Sequence, residues 1–132
     1  MRPYGEPLKG GVYEFSLTKS VNDTILGMCR NSGWRRVRRI VLKVGGMRRV
    51  NPELMAYAFG RISRGAPTEG ANLSIMVLPV TFRCHACGRE VQSEGTEFVC
   101  PACGSKDVEL VSGLEFAIEF LEVEGGAPHL GD

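Results

Sequence analysis

Two Cys-x-x-Cys-Gly turns set the strongest constraint on what this 132-residue chain can fold into. The first spans Cys84–Gly88 and the second spans Cys100–Gly104, with 12 residues between the two cysteine pairs. A two-residue gap lets one tight turn aim two sulfurs at a single point, and the glycine permits a positive φ that turns backbone N–H groups toward the thiolates. Two such turns supply the four ligands of a tetrahedral zinc ion. The predicted ligands are Cys84, Cys87, Cys100 and Cys103.

A redox pair or a disulfide is the alternative interpretation of these cysteines. A thioredoxin-like motif has one Cys-x-x-Cys in a βαβ context, whereas these two matched pairs are flanked by strand-like sequence, which favours a zinc ribbon. Because four cysteines leave no open position for water, we expect the zinc to be structural and not catalytic. His85 is an alternative donor that we expect to be a solvated side chain, and Cys29 is expected to be a small buried hydrophobe.

The charge of the chain is unevenly distributed. Residues 1–80 hold 13 Lys and Arg against 5 Asp and Glu, whereas residues 81–132 hold 3 against 10, which gives balances of +8 and −7. The two halves are therefore expected to attract different partners or each other. A basic cluster is the predicted partner-binding surface: Arg35, Arg36, Arg38 and Arg39. Because only Trp34 interleaves with it as an aromatic, the cluster disfavours a nucleic-acid partner, and a solvated strand face is an equal alternative.

Two segments have the periodicity of amphipathic helices. The first is predicted to start at Ser16 as its N-cap and to stop at Asn31–Gly33. Its apolar stripe is Leu17, Val21, Ile25 and Met28. In the second helix, Asn51 is the predicted N-cap and Pro52 the first helical residue. Its inner face is Leu54, Met55, Ala58, Phe59 and Ile62.

Three further segments, 37–44, 72–78 and 114–123, alternate apolar and polar residues as half-buried strands do. Because the cysteine turns fall between the second and third segments, the ribbon is predicted to be an insertion into one sheet. Two helices on a three-stranded sheet make a two-layer α/β sandwich. The predicted organisation is a flexible leader (1–11), an α/β domain (12–80 and 112–124), a zinc-ribbon domain (81–111) and a flexible tail (125–132).

Neither a secretion signal nor an apolar segment long enough to span a membrane is apparent in the sequence. Metal-binding thiols without such a signal favour the cytoplasm. The sequence also shows no nucleophile–base pair and no phosphate-binding loop, so the chain is not expected to be an enzyme.

Six short patches follow one another from Val12 to Glu124 around the inserted ribbon. They are Val12–Leu17, Val41–Gly45, Val50–Leu54, Ala58–Phe59, Glu69–Ala71 and Cys100–Gly104. In this order they resemble the HypA/HybF family, the nickel metallochaperones of [NiFe]-hydrogenase maturation. The resemblance implies a nickel-binding α/β domain joined to a structural zinc domain. It also implies two partners, the maturation GTPase HypB and a hydrogenase large subunit that receives the nickel.

One departure from the family pattern affects the nickel site. The resemblance implies Met-His-Glu at the mature start, where the amine, backbone nitrogens and imidazole hold Ni(II). Here Val12-Tyr13-Glu14 follows 11 residues. A Tyr13 phenol with a pKa near 10 is a poor nickel ligand, and an internal Val12 has no α-amine; a start codon at Val12 would restore the amine only. The resemblance also implies a glutamate directly after the glycine that ends the first strand, but Gly46 stands at that position. Glu14 is therefore left as the predicted nickel ligand.

Three functional hypotheses follow from these observations. The first is a HypA-like maturation factor with an altered nickel site that uses Glu14, His129 or ligands from a partner. The second is a zinc-stabilised protein-binding adaptor that has lost nickel binding. The third is a zinc-ribbon protein that binds nucleic acid through the arginine cluster. Nickel titration separates the first two, and salt-dependent binding to RNA or DNA tests the third.

Overall fold

A computed structural model describes residues 6–93 and 98–125 of the chain. Its helices are α1 (Glu6–Ser32) and α2 (Pro52–Ile62), and a short 3-10 turn (Gly46–Arg48) lies between them. Its strands are β1 (Trp34–Gly45), β2 (Asn72–Leu78), β3 (Val80–Cys84), β4 (Glu90–Ser93), β5 (Val108–Ser112) and β6 (Phe116–Gly125). They form two three-stranded sheets with the orders β2-β1-β6 and β4-β3-β5. Since β3, β4 and β5 lie between β2 and β6 along the chain, the predicted insertion of the ribbon into one sheet is confirmed.

Helix α1 begins ten residues before the predicted cap. The prediction of Ser16 as N-cap and of a flexible leader up to residue 11 is wrong for residues 6–11, which are helical. Pro7 stands in the first turn, where its missing N–H removes no helical hydrogen bond. Gly10 and Gly11 each lower helix stability by about 1 kcal/mol relative to alanine, which a 27-residue helix tolerates. Residues 1–5 of the predicted leader lie outside the described part of the chain.

The buried face of α1 is more polar than the predicted stripe. Val21 and Ile25 are buried as expected, but Leu17 and Met28 are only half-buried. The rest of the buried face is Glu14, Thr18, Asn22 and Cys29. Glu14, Thr18 and Asn22 recur every four residues and therefore form one row along the helix. This row contacts the segment 51–68: the Thr68 hydroxyl donates to Asn22 Oδ1 at 2.6 Å, and Glu14 and Thr18 form hydrogen bonds with Asn51 and Met55.

Helix α2 and the main sheet agree closely with the sequence pattern. The Asn51 side chain accepts hydrogen bonds from the backbone N–H groups of Glu53 and Leu54, at 2.9 and 3.1 Å, which confirms the predicted N-cap. Pro52 opens the helix as predicted. The core of the α/β layers consists of Ile25, Val37, Ile40, Leu42, Val44, Met55, Ala58 and Phe59. The fold is therefore the predicted pairing of two helices with a three-stranded sheet, accompanied by a separate small sheet.

The contacts within the chain divide it into two compact units. One holds the described residues up to Leu42, residues 50–75 and the described residues from Ile118 onward. The other holds Lys43–Arg49 and Met76–Ala117. The second unit thus combines the predicted ribbon, 81–111, with three segments that the predicted domain bounds assign to the α/β domain: 43–49, 76–80 and 112–117.

Within the second unit, the segment Lys43–Arg49 forms close backbone contacts with residues 113–115. The Gly45 N–H donates to the Glu115 carbonyl at 2.7 Å, and the Met47 N–H donates to the Gly113 carbonyl at 2.8 Å. A Cβ at Gly45 would lie 2.1 Å from the carbonyl carbon of Gly113. Position 45 therefore has to be glycine for the two backbones to approach this closely.

The end of the chain is described only in part. Gly125, predicted as the first residue of a flexible tail, is the last residue of β6. The remainder of that tail, residues 126–132 with His129, lies outside the described residues. Within residues 6–93 and 98–125, neither helix has the apolar length that crossing a bilayer would require.

Candidate metal centre

The two cysteine turns fold into matching knuckles. In the first, the Gly88 N–H donates to the Cys84 carbonyl at 2.8 Å, and in the second the Gly104 N–H donates to the Cys100 carbonyl at 2.7 Å. Gly88 and Gly104 have φ values of 78° and 77°, so both positions require the left-handed backbone that glycine provides. Strand β3 delivers the first knuckle, because it ends at Cys84.

The four cysteine sulfurs converge as the sequence predicted. Their Sγ atoms all lie within 4.8 Å of one another, and the Cys84–Cys103 and Cys87–Cys100 pairs are each 3.6 Å apart. A tetrahedral ion with metal–sulfur bonds of about 2.3 Å has sulfur–sulfur edges of about 3.8 Å. The observed separations fit such an ion and are well above the length of a disulfide bond. Cys84 and Cys100 are buried, whereas Cys87 and Cys103 are exposed.

The local backbone already favours ionisation of one thiol in the absence of a metal. The backbone N–H groups of Cys103 and Ala102 lower the pKa of Cys100 to about 7. The Ser105 backbone N–H lowers the pKa of Cys103, but the neighbouring sulfur of Cys84 and the partial loss of solvent outweigh this effect and raise the pKa to about 11. An ion that binds all four sulfurs must therefore displace protons, most easily from Cys100.

His85 ties the first knuckle to strand β5. Its backbone N–H donates to the Asp107 carbonyl at 2.9 Å, and its ring nitrogens contact the carboxylates of Asp107, at 3.3 Å, and Glu109. The hydrogen bond to Glu109 raises the pKa of His85, and the same contact lowers the pKa of Glu109. The side chain is about half exposed. His85 is exposed, as expected of a solvated side chain on the knuckle, but it also forms these contacts, which were not predicted. No contact of the ring with the sulfur cluster is seen among the described residues.

The predicted nickel ligand Glu14 lies at the contact of α1 with the start of α2. It is 3% exposed, and its Oε2 accepts a hydrogen bond from the Asn51 backbone N–H at 2.8 Å. Its Oε1 is buried and has no hydrogen-bond partner among the described residues. Below it, Thr18 Oγ1 donates to Met55 Sδ at 3.3 Å. Oε1 is therefore the Glu14 oxygen left without a partner among the described residues, and burial separates it from solvent in this conformation.

The neighbouring residues Val12 and Tyr13 lie inside helix α1. Their backbone N–H groups belong to the helical hydrogen-bond pattern, in which each N–H donates to a carbonyl four residues earlier. A backbone nitrogen in that pattern is not available as a metal ligand. In this conformation the segment 12–14 offers the phenol and the carboxyl group and no nitrogen donor.

Two of the four arginines in the predicted partner-binding cluster form ion pairs within the chain. Arg38 forms an ion pair with Glu124, and the Nε of Arg39 lies 3.6 Å from Glu122 while its guanidinium covers the Phe120 ring at 4.9 Å. The basic half and the acidic half of the chain thus attract each other across β1 and β6, one of the two outcomes expected from the charge split. Both arginines thus have partners within the chain, although their side chains remain exposed. The other two, Arg35 and Arg36, are exposed.

Comparison with known proteins agrees with this geometry. Residues 12–123 match the family described as "Hydrogenase/urease nickel incorporation, metallochaperone, hypA". The hydrogenase maturation factor HypA of Acidithiobacillus ferrooxidans is 33% identical over 114 residues, which cover 86% of this chain and all of the relative. That of Geobacter metallireducens is 36% identical over 114 residues with the same coverage. The chain belongs to the HypA family.

Solved structures show the same fold for this HypA-family chain. The solution structure of the nickel metallochaperone HypA from Helicobacter pylori superimposes with a TM-score of 0.60 at 22% identity. It covers 85% of this chain and 97% of the other. A second solution structure, described as HypA protein, superimposes with a TM-score of 0.61 over 83% of this chain and 94% of the other.

Several residues of structural importance were not predicted from the sequence. The carboxylates that contact His85 lie more than 20 residues away, immediately before β5 and within it, so local spacing gives no signal for them. The pairing of Arg38 with Glu124 did have a signal, because Glu122 and Glu124 recur with the period of two expected for one strand face. Cys29 was predicted correctly: it is 4% exposed, and burial raises the pKa of its thiol.

Proposed function

We propose that this protein is an accessory factor for nickel insertion during [NiFe]-hydrogenase maturation, and that zinc in the four-cysteine site stabilises its ribbon. The observation that carries the proposal is the family match over residues 12–123, which includes both knuckles. The sulfur separations support a tetrahedral ion, and four thiolates are a donor set that suits zinc. Since all four positions are cysteine ligands, the ion supplies structure and no open site for catalysis.

Nickel handling is proposed to differ from that implied by the family motif. Tyr13 stands in place of the imidazole, the nitrogens of residues 12–14 lie within a helix, and Glu14 is engaged by Asn51. Carboxyl and phenol oxygens are hard donors that compete poorly with imidazole and amine nitrogen for Ni(II). We therefore expect weak nickel binding by the isolated chain, so that ligands from a partner must complete the site.

The proposed partners are a maturation GTPase of the HypB type and a hydrogenase large subunit, both in the cytoplasm. Contacts by charge are expected to involve Arg35 and Arg36 more than Arg38 and Arg39, because the latter two are paired within the chain. Such contacts should weaken as salt screens them. The same ion pairs count against nucleic-acid binding, because fewer guanidinium groups are left for phosphates.

Deletion of the gene in its own organism provides a direct test. The hydrogenase large subunit purified from the deletion strain should lack nickel, and the full-length chain should restore it. Cys100→Ser should fail to restore it, whereas Arg64→Gln, an exposed arginine outside the cluster, should succeed. A large subunit with its normal nickel content in the deletion strain would refute the proposed function.

A pull-down from lysate treated with or without nuclease separates the partner classes. Recovery of a GTPase or hydrogenase subunit in both samples supports the maturation role. Recovery of nucleic acid alone, lost after nuclease treatment, would favour the alternative of a nucleic-acid-binding ribbon. Nickel titration monitored by calorimetry, with the chain alone and with the recovered partner added, then distinguishes a nickel-binding factor from an adaptor: only the factor should bind nickel more tightly together with the partner than either protein does alone.

A further inference from the structure

A cavity of about 380 Å³ lies within the second unit, away from the sulfur cluster. One side is the turn that follows β1, and the others are the link between β2 and β3 and the end of β4. About half of its lining surface is apolar, and Met47 and the run from Val77 to Val80 form that half. Cavities of this size hold small molecules or single side chains of a partner, and they commonly pair apolar walls with a few polar groups.

Arg49 lines this cavity in an unusual backbone conformation. Its φ and ψ are 54° and 40°, and it is the only described residue other than glycine with a positive φ. Glycine would adopt this conformation without the steric cost that a side chain adds. The Arg49 N–H donates to the Gly46 carbonyl at 3.2 Å, which closes the turn. Strained residues that persist in a structure concentrate at functional sites, so the guanidinium itself is a candidate for function.

The adjacent Arg48 shows what a structural arginine looks like in the same turn. Its Nε donates to the Leu114 carbonyl at 2.8 Å, and its guanidinium covers the Phe116 ring at 5.6 Å. Arg49, by contrast, is exposed and has no ion pair or hydrogen bond from its side chain among the described residues. Among the described residues it is also the only charged one that lines the cavity. No described residue therefore compensates its positive charge there.

We propose that this cavity binds a carboxylate attached to a short apolar body. The Arg49 guanidinium supplies paired N–H donors that match the two oxygens of a carboxylate, and the Gln92 amide on the cavity wall supplies another donor. The run from Val77 to Val80 covers the apolar body. A single arginine suits a monoanion better than a phosphate, whose charge and three oxygens call for more donors. The ligand is a small carboxylic acid or the C-terminal carboxylate of a protein chain.

Gly46 keeps the cavity open. A Cβ at this position would lie 3.1 Å from the Leu78 carbonyl oxygen and 3.1 Å from a methyl group of Val80. The side chain would therefore push these two walls apart or fill the space beside them. The absence of a side chain at position 46 and the strained Arg49 are two independent features of one turn that serve the same cavity.

The test uses the full, zinc-loaded chain and follows its backbone amide signals by NMR. Two probes carry the carboxylate: isovalerate, and an acetylated Ala-Ala-Leu peptide with a free C-terminus. Isovaleramide and the same peptide with an amidated C-terminus are the matched controls. The amides of Gly46, Met47 and Gln92 should shift with at least one acid and with neither amide. Tighter binding of isovalerate identifies a small acid as the ligand type, whereas tighter binding of the peptide identifies a chain terminus.

Two substitutions at Arg49 separate the side chain from the backbone. Arg49→Gln should weaken binding by about tenfold or more, because it removes the charged donor. Arg49→Gly should weaken it equally while leaving the thermal midpoint unchanged or raised, because glycine relieves the positive φ. Arg64→Gln, which removes an exposed arginine elsewhere, should bind as the natural chain does. Equal affinity of Arg49→Gln and the natural chain, or no shift of any lining amide up to roughly 10 mM of either acid, would overturn the proposal.

Discussion

The four-cysteine site and the segment Val12–Glu14 occupy the two metal-binding regions that the HypA resemblance implies, and they keep their donors available to very different degrees. Each knuckle presents two sulfurs from a glycine-closed turn, and the four sulfurs lie within 4.8 Å. In the other region the backbone continues as α1, and Glu14 is buried against Asn51. Where the ligands are side chains, the spacing of the cysteines in the sequence is enough to place them. Where the ligands are backbone nitrogens, the site also depends on the local backbone conformation.

The largest expected effect of a substitution is at the four-cysteine site. Cys100→Ser should reduce bound zinc from about one ion per chain to nearly none and should unfold the β4-β3-β5 sheet, because zinc binding supplies about 10 kcal/mol or more to such modules. Helices α1 and α2 should remain folded, since their core contains none of the four ligands. Metal analysis and amide NMR signals measure both effects.

Cys29→Ser is the matched control for that experiment. Cys29 is buried in α1 and is not a member of the sulfur cluster, so this variant should retain its zinc even if α1 is less stable. Full zinc stoichiometry in Cys100→Ser would contradict the assignment of the ligands.

Substitutions in the segment Val12–Glu14 should restore the nitrogen donors that it lacks. A chain that starts at Val12→Met and carries Tyr13→His should bind Ni(II) in the micromolar range or tighter, about a hundredfold more strongly than the natural chain, because it regains an amine and an imidazole. Tyr13→His in the full chain should recover much less, because residue 13 remains within α1. Sub-micromolar nickel binding by the natural chain, abolished by Glu14→Ala, would show that Glu14 is a nickel ligand despite its burial.

A smaller effect is expected when Glu14 is changed for its structural contact alone. Glu14→Ala should lower the free energy of unfolding by about 1 to 3 kcal/mol, because the Asn51 N–H loses its acceptor and a buried space is left. Glu14→Gln should cost less, since its amide oxygen can still accept that hydrogen bond. Denaturant unfolding at neutral pH compares the two variants. Equal stability of Glu14→Ala and the natural chain would contradict this role.

The smallest expected effect concerns pH and the sulfur cluster. Above about pH 7 the metal-free Cys100 is already a thiolate, and below that value zinc must also displace its proton. The logarithm of the zinc affinity should therefore fall more steeply, by about one additional proton per ion, as the pH drops through 7. Competition with a chelator of known proton dependence measures the slope. A constant slope from about pH 6 to about pH 8 would show that Cys100 is not predisposed to ionise.

The sequence predicted the parts of the structure that depend on local chemistry. The knuckles, the Asn51 cap and the strand β2 at Asn72–Leu78 follow from residue spacing and turn preferences within a few positions. The sequence did not predict the features that depend on contacts between residues far apart along the chain. Helix α1 starts at Glu6 despite two glycines, because a long helix packed on α2 tolerates their cost. The burial of Glu14 and the link of His85 to β5 depend on partners far away in the sequence.

The unequal exposure of the four sulfurs sets an order for chemical damage. Cys87 and Cys103 are exposed and lie on different knuckles, so an oxidant reaches each knuckle through its outer sulfur first. Each of them is 3.6 Å from a buried sulfur of the opposite knuckle. An oxidant that converts an outer thiolate to a sulfenic acid would therefore allow the nearby thiol of the opposite knuckle to condense with it, with loss of water, which releases the ion and cross-links the two knuckles. The disulfide would hold the two knuckles close together in the oxidised ribbon. A reductant would have to cleave it before zinc could bind again.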